Sequence, residues 1–247
     1  MGLFNRSQKP EPPPPGPKQP LAWHASGDFE TASCHGQYAL EHLDEQRALG
    51  RAGGFTVILL GEESDYKRLA QNKEFAKSSI AELLQLVDQV DVEAWMAGRL
   101  KEVSDYYEEV LGEWPVFTPD PASIGAHLDV LSHQPHPVVY LAKMPTPRSW
   151  EAPVYIGMGG WNDCPDPAEI SAFAKRWHER YGAEVISITH DVMEFVVANP
   201  PTTREDALAL AKEQYLFCSD IVEQGVGDIS TLAAALLNSK YWYFWWD

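Results

Sequence analysis

Positive charge is scarce in this chain. Its 247 residues carry 19 Lys and Arg against 36 Asp and Glu, a formal net charge of −17. Arg6, Lys9 and Lys18 against Glu11 give the first twenty residues +2, which leaves −19 for the remainder. A body that acidic repels phosphate backbones and anionic membrane surfaces, and no local basic patch offsets it, so the sequence predicts neither a nucleic-acid nor a membrane partner. A basic protein, by contrast, would be steered towards it. Cysteine is also sparse. Cys34, Cys164 and Cys218 are odd in number, scattered, and without C-x-x-C spacing, which excludes a disulfide framework and a cysteine zinc site. No apolar run approaches the ~18 residues of a membrane span. Met1–Pro20 has no apolar h-region, so no signal peptide is expected and the chain reads as cytoplasmic.

What is present is proline at the start and aromatic rings throughout. Pro10, Pro12–Pro15, Pro17 and Pro20 make residues 1–20 a proline-rich tail that is expected to be disordered. Residues 21–144 read as a region of helices and strands. A helix is expected over Thr31–Leu49, and a buried strand at Phe55–Leu60 between glycines. An amphipathic element follows from Tyr66 through Leu69, Phe75, Ile80 and Leu83 to Val87, broken near Asn72. A second helix covers about Val92–Leu111, and Val138–Leu141 reads as a strand.

Residues 145–247 are more explicit. Val154-Tyr155-Ile156 reads as a strand leading into Gly157-Met158-Gly159-Gly160-Trp161-Asn162-Asp163. Asp166, Pro167 and Glu169 form a capping box, and Ile170, Phe173, Ala174, Trp177 and Tyr181 make one helical stripe that stops at Gly182. Glu184–Thr189 and Met193–Val197 read as strands, and a helix capped by Thr202 with Glu205 runs to about Cys218. Ser230 starts a short helix. Tyr241–Trp246 closes the chain as a strand with Trp242, Phe244 and Trp246 on one face. The order β-α-β-β-α-α-β, with an antiparallel pair in the middle, predicts an α+β fold: a mixed or antiparallel sheet with helices packed on it.

This C-terminal stretch, about residues 145–247, resembles the bacterial family known as domain of unknown function 4253. The resemblance rests on Gly159-Gly160-Trp161-Asn162-Asp163-Cys164-Pro165, on Trp177 to Glu184, on Asp191 with Glu194, on Pro200-Pro201, and on the ending Trp242 to Asp247. It implies no activity, cofactor or catalytic residue.

The candidate binding residues are Gly160, Trp161, Asn162 and Asp163 on the glycine-rich loop, with His190, Asp191 and Glu194 where two strands meet. A phosphate cradle is excluded at the loop: Pro165 and Pro167 remove amide donors, Asp163 and Asp166 repel phosphate, and no Lys or Arg is present. His190-Asp191-x-x-Glu194 matches no metal-ligand spacing, so neither metal nor cofactor is expected there. The favoured reading is a binding protein, in its finer form an immunity-type inhibitor that masks a basic toxin. The alternative is a small hydrolase or metal-assisted enzyme in which Asp163, His190, Asp191 and Glu194 converge.

Overall fold

A computed structural model describes residues 16–74 and 78–247. The α+β expectation holds. One seven-stranded mixed sheet runs through the molecule, formed by β1 (His24–Ser26), β2 (Phe29–Cys34), β3 (Thr56–Gly61), β4 (Val139–Met144), β5 (Ala183–Ile188), β6 (Val192–Val197) and β7 (Tyr241–Trp245). Their order across the sheet is β1-β2-β4-β3-β5-β6-β7, and every neighbouring pair is antiparallel except β3 with β5.

β3 shows how the sheet divides the interior. Its residues Thr-Val-Ile-Leu-Leu-Gly are buried throughout, as a strand covered on both faces requires. Ile58 and Leu60 enter a large core, whereas Val57 and Leu59 enter a smaller one with Ala39 and Leu43 of helix α1 (Ala39–Gly53). The larger core lies beneath α2 (Glu63–Glu74), α3 (Ile80–Val87), α4 (Val92–Glu102), α5 (Tyr107–Leu111), α6 (Ala152–Ile156), α7 (Pro167–Tyr181), α8 (Arg204–Phe217) and α9 (Ile229–Leu236). At its centre Trp177 stacks on Phe244 at 5.2 Å and meets Phe217 edge-on at 5.1 Å. Trp242 and Phe244 of β7 point into this core, while Tyr241 and Tyr243 face outward, the alternation expected of a strand.

Beside the aromatic cluster, α7 and α8 share one buried carboxylate. Glu213 accepts from Arg176 Nε at 3.2 Å and Nη2 at 3.0 Å, from Trp177 Nε1 at 3.1 Å and from Arg180 Nη1 at 3.1 Å.

Several elements differ from the sequence expectation. Val154–Ile156 is helical, not a strand, so the C-terminal order does not begin with β: Pro153 lies in the first turn of α6 and Gly157 closes it at φ +77°. Thr31 and Ala32 belong to β2, and the helix after them continues through Gly50 to a left-handed Gly54. Helix α2 continues past Asn72 to Glu74, and Ser79 with Glu82 caps α3 in a capping box; Phe75 lies outside the described residues. The helix expected over 92–111 is two, α4 and α5. Thr203 with Asp206 caps α8, one residue later than expected, and Asp228 rather than Ser230 caps α9. A π-helical turn at Ile221–Val226 went unread. Residues 1–15 of the expected tail lie outside the described residues. Residues 16–20 run along α1, where Lys18 bridges Glu41 at 2.9 Å and Glu45 at 2.7 Å and Tyr38 donates to the Gly16 carbonyl.

Candidate functional site

Because β3 and β5 are parallel neighbours, their C-terminal ends emerge at the same edge of the sheet. Open sheets gather ligands at that edge, since two chains leave it in different directions and open a crevice between them. After β3 the chain turns at Gly61 into α2, and Asp65 lies in the first turn of that helix. After β5 it turns back at Thr189-His190-Asp191 into β6. The turn is tight: the Thr189 N–H donates to the Val192 carbonyl at 2.9 Å, and the Val192 N–H to Thr189 Oγ1 at 3.0 Å.

These two turns set a carboxylate at each nitrogen of one imidazole. His190 Nδ1 is 2.5 Å from Asp65 Oδ1, and His190 Nε2 is 3.2 Å from Asp191 Oδ2. All three side chains are half-buried. The second oxygen of each carboxylate is held separately. The Glu62 N–H donates to Asp65 Oδ2 at 3.1 Å, and the Thr189 hydroxyl donates to Asp191 Oδ1 at 3.1 Å. Gly61 makes room: at φ +77°, a Cβ there would lie 2.2 Å from Asp65 Oδ2. A further contact adjoins the cluster, His136 Nδ1 to Glu62 Oε2 at 3.7 Å.

Of the four residues expected to converge, only His190 and Asp191 meet. Glu194 is instead buried, at 1% exposed, and accepts from the N–H groups of Gly125 at 2.5 Å and Ala126 at 3.4 Å. Burial pushes its carboxyl above the ordinary value despite those two donors. Asp163 is exposed, and its nearest cation is Arg99 at 3.9 Å. Asp191 lies in the turn before β6, whereas Glu194 lies within β6 and is held by the Gly125 and Ala126 amides.

The loop at Gly157–Asp163 is a clasp. Gly157, Gly159, Gly160 and Asn162 all have positive φ, and the Gly160 N–H donates to the Pro165 carbonyl at 2.9 Å. Asn162 Nδ2 donates to the Asp247 carbonyl at 2.7 Å, and Trp161 packs half-buried against the core. The loop thereby holds the end of the chain, whose Trp246 N–H in turn donates to the Asp191 carbonyl at 3.1 Å. Cys164 and Cys218 are buried free thiols, and burial pushes the Cys218 thiol up to about 12, so neither is a ready nucleophile.

Among the described residues, one cleft is lined by Arg148, Trp150, Glu151 and Lys175 and another by Phe29, Tyr66, Leu69 and Lys73. Neither contains a residue of the sequence-predicted site. A different surface stands out by its charge. Residues 102–120 carry Glu102, Asp105, Glu108, Glu109, Glu113 and Asp120, all exposed, with no Lys or Arg among them. Tyr106, Val116 and Phe117 are exposed in the same stretch. It is anchored beneath by buried Val103, by Tyr107 against Tyr215, and by Ser230 Oγ donating to the Leu111 carbonyl at 2.8 Å. The sequence carries this signal as a run of acids free of bases.

Residues 140–247 match the family model Domain of unknown function (DUF4253). The matched stretch begins inside β4 and holds the clasp loop, the His190 turn and the aromatic β7. No curated protein and no solved structure matched the chain. Among the described residues, no helix is long and apolar enough to cross a membrane.

Proposed function

We propose that the protein is a binding protein that captures a basic partner protein through the acidic, aromatic-rimmed segment 102–120. The observation that carries this reading is the segment itself: six exposed carboxylates, of which Glu102 alone is paired among the described residues, with Arg99 at 2.7 Å, and three exposed apolar side chains, held by the core. Elsewhere many cations are already committed to intramolecular pairs, among them Arg47 with Glu184, Lys73 with Asp28, Lys143 with Glu30 and Lys175 with Asp88. Asp105, Glu108, Glu109, Glu113 and Asp120 thus leave their field to an incoming partner. Charge of one sign speeds encounter and fixes orientation, while exposed rings such as Phe117 supply the apolar anchors that hold a complex together. An immunity-type inhibitor masking a basic toxin is the most specific form of this reading. The free thiols suit an encounter in a reducing compartment such as the cytoplasm.

The test is affinity capture on the full chain at about 50 mM and about 500 mM salt, where screening lengths differ severalfold. The wild type is compared with Glu108→Gln/Glu109→Gln/Glu113→Gln and with Phe117→Ala. A basic protein retained by the wild type at low salt, released at high salt and lost from both variants is the expected result. The same proteins retained by all three forms would refute the assignment.

A further inference from the structure

The geometry points to a divalent-cation site at the sheet edge, with His190 Nε2 and Asp191 Oδ2 as the ligand pair and Asp65 as the residue that holds the histidine in its ligating form. This site is separate from segment 102–120 and does not depend on it. Three observations lead to it. First, one donor or acceptor atom each from Asp65, His190 and Asp191 lies within 4.8 Å of the others, so the three side chains converge on one place at the sheet edge. Second, His190 Nε2 and Asp191 Oδ2 are 3.2 Å apart, the spacing of two adjacent ligands on one ion. A neutral imidazole that donates Nδ1–H to Asp65 turns its Nε2 lone pair towards Asp191. Third, the supporting contacts are those a metal centre needs. Asp65 on Nδ1 is the carboxylate–histidine pairing that fixes tautomer and ring orientation, and both carboxylates are themselves tied, by the Glu62 N–H and by the Thr189 hydroxyl.

One nitrogen and one carboxylate from the chain leave the remaining positions to water, with the Asp65 charge close by. That mixed nitrogen and oxygen set suits Zn²⁺, Co²⁺ or Mn²⁺ better than a soft ion requiring thiolates. The sequence could not show it, because Asp65 and His190 are 125 residues apart and are joined only by the parallel pairing of β3 with β5.

Titration calorimetry of the full chain with zinc chloride alone tests the assignment, repeated with manganese chloride under excess magnesium. The wild type is expected to take up one ion per chain. His190→Ala and Asp191→Asn should each weaken uptake at least tenfold, and Asp163→Asn should leave it unchanged. Asp65→Ala should lose about tenfold, the usual cost of removing such a supporting group, while Asp65→Asn, whose carbonyl still accepts from Nδ1–H, recovers most of it. Asp191→Asn alters one atom and preserves the turn's shape, so it carries the test if His190→Ala does not fold. No stoichiometric uptake by the wild type, or uptake that Asp191→Asn leaves within twofold, would overturn the site.

Discussion

Replacing Glu213 by leucine tests whether the α7–α8 seam is held by the buried carboxylate or by aromatic packing alone. The substitution roughly conserves volume, so the expected loss comes from the four donors that converge on Glu213. Trp177 is fully buried, and its Nε1–H would lose its only partner, at about 1–3 kcal/mol for an orphaned buried donor. The side chains of Arg176 and Arg180 are 30% and 40% exposed, so water and salt already screen their pairs with Glu213. Each is therefore discounted to about 0–1 kcal/mol. The expected destabilisation is about 3 kcal/mol, a large part of a typical domain's ~5–15 kcal/mol. Urea unfolding followed by far-UV circular dichroism measures it without relying on tryptophan emission. A double-mutant cycle with Trp177→Phe, which removes the indole N–H but keeps a ring, should return a coupling of about 1 kcal/mol or more. A Glu213→Leu loss below about 1 kcal/mol, or no coupling, would show that the ring stack holds the seam without the carboxylate.

Two other consequences are equally direct. Burial raises the folded-state pKa of Glu194 above its unfolded value, so the stability it contributes is fully present below the unfolded value, about 4.3, and is lost as pH rises through the folded one. Thermal melts across that window should show wild type losing stability relative to Glu194→Gln as pH increases; parallel curves would contradict the burial argument. At Gly159, φ is +106° and a Cβ would sit 2.0 Å from the Pro165 carbonyl oxygen, whereas at Gly27, φ is +65° and nothing lies within 4 Å. Calorimetric melts should therefore show Gly159→Ala costing about 3 kcal/mol or more and Gly27→Ala only the ~1–2 kcal/mol of left-handed strain.

Much of the fold is legible because its signals are local. Asp166, Pro167 and Glu169 start α7, the stripe from Ile170 to Tyr181 gives its buried face, and Gly182 ends it at φ +62°. β3 and the closing aromatic strand are equally plain, since short β-rich runs between breakers leave little choice. Val154–Ile156 is ambiguous in the sequence because a short apolar run fits a buried strand and a buried helical turn alike, and only Pro153 and Gly157 favour the helix. The site was half legible. His190 and Asp191 stand next to each other in the chain, but Asp65 reaches them through strand order, which periodicity does not encode. Glu194 stands three residues from Asp191 in the sequence, yet its partners are the Gly125 and Ala126 amides, nearly seventy residues away.

The strand order has a further consequence for the stretch that matches the family model. β4 and β5 both fall largely or wholly within residues 140–247, yet they are not neighbours; β3, some eighty residues upstream of β4, is threaded between them. Cut out alone, the matched stretch would present a slot one strand wide, walled on one side by the apolar edge of β5. An open slot of that kind invites strand donation, from another copy or from an extended segment of another protein. In this chain Thr56–Gly61 fills it from within, and the same insertion carries Asp65 to His190. The strand that fills the slot thus also leads into the helix that completes the carboxylate–histidine cluster.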